Sequence, residues 1–84
     1  MSASQLLAEA RKAYNSGNAS RAYTLAGKSY AKVTSWAALE LKALSACKLK
    51  NKSAAKAAAK KLPKDRKKKI KKKCKDMGTR LGLF

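Results

Sequence analysis

Apolar positions recur along residues 2–15 at Ala3, Leu6, Leu7, Ala10, Ala13 and Tyr14, the spacing of one α-helical face. Ser2 and Gln5 stand ahead of them at the separation of a capping box. The "NSGN" that follows predicts a stop, with Gly17 suited to a left-handed cap and Asn18 to the start of a second helix. That helix spans about 19–33, with Ala22, Leu25, Ala26, Ser29 and Val33 on its apolar face and Tyr30 at the border. Thr34–Ser35 restarts the pattern. Residues 35–49 carry one stripe of Trp36, Leu39, Ala43, Ala46 and Cys47 and a second of Ala37, Leu41 and Leu44, which predicts a helix lying between neighbours.

Asn51 caps a fourth helix over 52–62, whose dry face is Ala55, Ala58, Ala59 and Leu62. Pro63 fits the first turn of a fifth helix, where a missing N–H costs nothing, and Asp65 suits that positive terminus. Ile70, Cys74 and Met77 lie at i, i+4 and i+7 within "PKDRKKKIKKKCKDMG", and Gly78 supplies the stop. The segment therefore reads as a helix with one dry stripe rather than a basic tail. The prediction is an all-α chain of about five short helices: a single domain over 1–78 and a short tail over 79–84. In that tail Leu81, Leu83 and Phe84 either fold back on the core or fray.

Composition changes the picture in two ways. Leu, Ile, Val and Phe number only thirteen of 84 residues, a level that with this charge is typical of disorder. Seventeen alanines, a single proline and four glycines instead suit closely packed helices. Lys and Arg number 22 against four acids, a formal charge of +18. Residues 1–46 hold six basic and two acidic residues, +4, and residues 47–84 hold sixteen and two, +14. Such a field attracts anions: nucleic acid, acidic protein or anionic lipid. No segment resembles a signal peptide or a membrane span, so a cytoplasmic protein is the expectation.

A shift of 33 residues superposes the two helical hairpins. Ala10 falls on Ala43, Ala13 on Ala46, Tyr14 on Cys47, Asn18 on Asn51, Ala22 on Ala55 and Ala26 on Ala59. A small residue where two helices meet, a polar turn, then an early Ala is the pattern of a helix-turn-helix repeat of about 34 residues. Over about residues 3–62 the chain resembles the tetratricopeptide repeat family as two degenerate repeats, with Leu6 and Leu39 where that family places its first-helix Trp. It is also similar to the tetratricopeptide-like segment at the C-terminus of many myxobacterial-type serine/threonine kinases and related bacterial proteins. "ARKAYNSGNASRAYTLAGKS", "WAALELKALSACKLKN" and "LPKDRKKKIKKKCKDMG" carry that likeness. Leu62-Pro63, Arg66, Ile70, Cys74 and Gly78 match the closing pattern of that segment, while the Lys content exceeds it. The resemblance implies two hairpins, a C-terminal capping helix and a protein-interaction role, and the chain's own lysines make it a basic C-terminal capping helix. No kinase motif is present in the chain.

Candidate chemistry is sparse. His is absent and Glu9, Glu40, Asp65 and Asp76 show no pairing, so no catalytic residue is assigned and an enzyme is not expected. Two cysteines without His leave no zinc site of the common kinds, and no cofactor or small-molecule substrate is expected. Cys47 and Cys74 are expected foremost as small buried hydrophobes. A disulfide between them is sterically open, and a reactive thiol would lack a partner base.

Lys52, Lys56, Lys60, Lys61, Lys67, Lys68, Lys69, Lys71, Lys72, Lys73 and Lys75 form the candidate anion- or partner-binding surface. Seven of them fall within nine positions, more than solubility needs, and they repel one another at i+3 and i+4. Tyr23 and Trp36 are candidates for a groove, although packing is the plainer role for Trp36. An acidic protein or peptide is the expected partner. The alternative is a small nucleic-acid-binding protein acting through Lys–phosphate contacts. That binding would be non-specific, because Arg11, Arg21, Arg66 and Arg80 are scattered. A membrane surface is not expected, since the apolar stripe of the fifth helix is narrow and lacks Trp or Phe.

Overall fold

The computed structural model describes residues 1–82 of the chain, and Leu83 and Phe84 of the expected tail lie outside them. Five helices follow in order: α1 (Ala3–Asn15), α2 (Ala19–Lys32), α3 (Trp36–Lys48), α4 (Lys52–Ala59) and α5 (Lys64–Asp76). No strand occurs among the described residues. The all-α expectation of about five short helices is met. The radius of gyration is 11.5 Å, close to the roughly 12 Å of an ordinary folded chain of this length. The basic segment is therefore docked, despite a charge of +18.

The caps form where the sequence places them. Ser2 Oγ accepts from the Gln5 N–H at 3.1 Å while Gln5 Oε1 accepts from the Ser2 N–H at 2.8 Å. Asn18, Ser35 and Asn51 each accept from the backbone N–H three residues on, at 3.1, 3.2 and 3.1 Å. Two boundaries differ from expectation. Helix α4 ends at Ala59 and Lys60–Leu62 form a turn, because a residue before proline is driven out of the helical region. Pro63 is the cap of α5 rather than its first turn, with φ −58° and ψ 156°, and its carbonyl accepts from the Lys67 N–H at 2.8 Å.

Helices α1, α3 and α5 end alike. Asn18, Asn51 and Thr79 donate their N–H groups to the carbonyls of Ala13, Ala46 and Cys74 at 2.8, 2.9 and 2.8 Å. Each is a Schellman closure that requires a left-handed residue just before the donor. Gly17 and Gly78 supply it at φ 89°, and Lys50 supplies it at φ 60°. A lysine bears that conformation at a cost of about 1–2 kcal/mol. Its Nζ in return donates to the carbonyl of Met77, at the C-terminus of α5. A Cβ on Gly17 would touch nothing within 4 Å, whereas one on Gly78 would meet Lys50 Nζ at 3.1 Å. Gly17→Ala should therefore cost about 1 kcal/mol through backbone strain alone. Gly78→Ala should cost more, and urea denaturation of the two variants measures the difference.

Helix α3 is the centre of the stack. It packs extensively on α2 and α4, also on α5, and lightly on α1. Of its second stripe, Leu41 joins Leu6, Ala10, Leu25 and Ala26 in one core group, whereas Leu44, expected beside it, packs against a second, larger group instead. Leu39, Ala43, Ala46 and Cys47 join Ala55, Ala59, Leu62, Ile70, Cys74 and Leu81 in that larger one. The alanines equated by the 33-residue shift, Ala10/Ala43, Ala22/Ala55 and Ala26/Ala59, are all fully buried. Leu81 folds back into the larger group, and buried Thr79 donates its hydroxyl to the Cys47 carbonyl at 2.8 Å.

Candidate partner-binding surface on α4 and α5

Helix α5 spends its apolar arc inward. Ile70 and Cys74 are its only buried residues. Cys47 and Cys74 form a disulfide, with Cα atoms 5.5 Å apart, the pairing that the sequence had left open beside their burial as plain hydrophobes. Burial was read correctly, but pairing depends on how α3 and α5 lie together. The two helices run in the same direction, since Glu40 of α3 meets Arg66 of α5 one end earlier than Cys47 meets Cys74. Arg66 Nη1 lies 2.7 Å from Glu40 Oε1. Met77, expected on the dry stripe, is the C-terminal cap and is partly buried against the core.

The remaining faces of α5 are basic. Lys68, Lys69, Lys72, Lys73 and Lys75 are exposed, whereas Lys67 and Lys71 flank the dry stripe, are partly buried and have partners of their own. Lys64, one turn before Lys68, is also exposed and extends the row as Lys64, Lys68, Lys72 and Lys75. It escaped the sequence assignment because it stands before the unbroken run, although its i−4 spacing from Lys68 is a readable signal. On α4 and its following turn, Lys52, Lys60 and Lys61 are exposed and Lys56 is partly buried and engaged. Ser53, Lys56, Ala57, Lys60 and Lys61 border a shallow depression of about 400 Å³.

The aromatic candidates divide. Tyr23 is partly buried against the larger core, with the Lys42 ammonium 5.5 Å from its ring centroid. Lys48 lies over Tyr14 at 4.2 Å and Lys61 over Tyr30 at 5.9 Å. Trp36 is 43% exposed, so the expectation that it packs in the core is corrected. It is the first residue of α3, one turn beyond the core layer that begins at Ala38 and Leu39. Val33, expected on the dry face of α2, is 58% exposed. As the extended C-cap, with φ −138° and ψ 116°, it leaves the helical face.

Burial raises the phenol pKa of Tyr14 above its ordinary value. The unfolded chain then ionises this phenol first, so the associated stability is present below about pH 10 and is lost as pH rises through the folded value. Comparison with Tyr14→Phe isolates the contribution of the phenol. The wild type should lose more stability than Tyr14→Phe between about pH 9 and 11, measured by urea denaturation.

The fold and surface define a small all-α protein with a lysine-rich face on its last two helices. No helix among the described residues is long and apolar enough to cross a membrane. No family model matches the chain, and neither a curated protein nor a solved structure matches it at a significant level.

Proposed function

We propose that the protein is a non-enzymatic, tetratricopeptide-like interaction module whose basic α4–α5 surface binds an acidic protein segment. The observation that carries this reading is the exposed lysine row of α5, held rigid by a helix whose apolar arc is spent on the core. A basic tail would have to be ordered on binding, whereas this surface is already ordered, which lowers the entropic cost of association. The same inward use of Ile70 and Cys74 leaves α5 without an apolar face for a bilayer. Two hairpins built on the 33-residue shift and closed by like caps support the helical-repeat part of the reading.

The cytoplasmic setting belongs to this proposal, in tension with the disulfide. Such bonds are rare where thiols are kept reduced, but both cysteines are fully buried, out of reach of an attacking thiolate.

The second reading is non-specific nucleic-acid binding. Its support is the spread of lysine point charges over several sides of α5, which suits phosphates approached from many angles. Against it, the rings of Tyr14, Tyr23 and Tyr30 each lie under a lysine rather than open to a base, and Arg66 is paired with Glu40.

Titration with a polyglutamate peptide and with single- and double-stranded nucleic acid, at low and high salt, separates the readings. The acidic peptide is expected to bind at low salt and to weaken steeply as salt rises. Lys68→Gln, Lys72→Gln and Lys75→Gln together should weaken it about tenfold, with folding unchanged or slightly improved as like-charge repulsion falls. Preference for nucleic acid at equal salt would transfer the assignment, and peptide binding indifferent to the triple substitution would remove α5 from it.

A further inference from the structure

Three of the four large apolar side chains that stand exposed among the described residues, Met1, Val33 and Trp36, lie at one end of the molecule. Helices α1, α3 and α5 begin at this end and α2 and α4 finish there. Ser29 near the end of α2 donates to the Ala3 carbonyl at the start of α1, at 2.8 Å, and Tyr30 lies under Lys61 beyond α4. Where the start of α1 meets the end of α2 is a notch of about 250 Å³ bordered by Ala3, Ser4, Leu7, Ser29, Val33 and Ser35. Trp36 follows Ser35 directly. The notch is smaller than the roughly 300–1,000 Å³ of small-molecule sites, but it is open to one apolar side chain. Val33 lines the notch, Trp36 stands exposed next to its Ser35 border, and tryptophan is enriched where binding energy concentrates.

The charge around this end says what approaches it. Lys28 and Lys32 belong to the last turns of α2, Lys60 and Lys61 to the turn after α4, and Lys64 to the first turn of α5, all exposed. A second copy of the chain would bring +18 against +18. A single-stranded nucleic acid would find Trp36 as the one exposed ring among Trp36, Tyr14, Tyr23 and Tyr30, without a succession of stacking faces.

We propose that the acidic segment bound by the α4–α5 surface carries an apolar side chain, which it seats in the notch beside Trp36 and Val33. This rests on the acidic-partner reading and deepens it: the ligand is an acidic stretch with an apolar anchor, not a featureless polyanion. The lysines set the rate and salt dependence of encounter, and the anchor sets how long the complex lasts.

Trp36 is the chain's single tryptophan and follows Ser35 of the notch border, so its fluorescence reports on the notch's edge. The probes are two short peptides of equal charge, glutamates flanking a central phenylalanine and glutamates flanking a central glycine, with oligouridylate as a third. The phenylalanine peptide is expected to bind roughly tenfold tighter than the glycine peptide and to shift Trp36 emission to the blue. Val33→Ser, at an exposed cap where folding is little affected, should erase most of that difference, leaving the salt-dependent affinity of the glycine peptide unchanged. Trp36→Ala, followed by calorimetry, should do the same. Equal affinity of the two peptides would overturn the anchor while leaving the acidic-partner reading standing. Binding of neither peptide at low salt would overturn both, and a stronger Trp36 response to oligouridylate than to either peptide would overturn the anchor in favour of base stacking.

Discussion

Replacing Cys47 and Cys74 together by alanine is expected to lower stability by about 3–4 kcal/mol, the effect of opening a covalent loop of this length. The bridge joins residues 27 apart and ties α5 to α3. A chain of this size has total stability of only about 4–12 kcal/mol, so the loss is a large fraction of the whole. The melting temperature should fall by roughly 15 °C or more. Besides the bridge, α5 and the residues just after it are held by modest contacts, among them buried Ile70, the Glu40–Arg66 pair, Lys50 on the Met77 carbonyl, Met77 and Leu81 against the core, and the Thr79 hydroxyl on the Cys47 carbonyl. Opposing them is repulsion among lysines at i+3 and i+4. Calorimetry of the wild type, before and after reduction under denaturing conditions, checks the account. The reduced wild type should melt with the double variant. A reduced protein that melts with the oxidised one would show that α5 docks without the bridge.

Ile70→Asp should have an effect of similar size by another route. Ile70 is 1% exposed and is the other buried side chain of α5. The substitution removes the apolar contacts of a buried isoleucine, which truncation puts at about 2–5 kcal/mol, and adds the cost of a carboxylate in a dry site. With the disulfide intact, α5 remains tethered through Cys74 but loses its seat. A short lysine-rich helix does not persist alone in water, so roughly a fifth of the helical circular dichroism should disappear. Ile70→Val, which keeps the seat, should cost only about 0.5–1.5 kcal/mol. Unchanged helicity in Ile70→Asp would mean that α5 is stable without docking, contrary to its charge pattern.

Ile70→Asp also tests how rigidity serves the surface. If the lysine row binds acidic segments because it is held in place, Ile70→Asp should weaken binding of the polyglutamate peptide while its net charge falls by only one. A row acting as charge alone would hardly respond.

Much of the fold is legible residue by residue. Ser2 with Gln5, Asn18, Ser35 and Asn51 announce four helix starts, and each makes its capping bond. Gly17 and Gly78 announce stops, and both adopt the left-handed conformation. Ile70 and Cys74 announce the dry arc of α5. These are local events, decided within about one helical turn, where a side chain and its own backbone supply both partners. The exposure of Lys68, Lys69, Lys72, Lys73 and Lys75 is legible for the same reason: once the dry arc is known, the side away from it points outward, while Lys67 and Lys71 at its flanks are partly buried.

Other features depended on distant parts of the chain. Trp36 shares an angular stripe with buried residues, yet it stands beyond the last core layer, and periodicity does not see where a neighbouring helix ends. Lys50 takes the left-handed position that Gly17 takes 33 residues earlier, because the Ala46–Asn51 closure and the Met77 carbonyl impose it against intrinsic preference. Leu81 enters the core only because α5 brings the chain back beside α3. The disulfide is the clearest case. The sequence by itself determined that Cys47 and Cys74 each face inward, since that follows from helical period. Only the tertiary structure decided that they meet, because a bond between them requires two helices, joined through α4, to bring their Cα atoms within 5.5 Å.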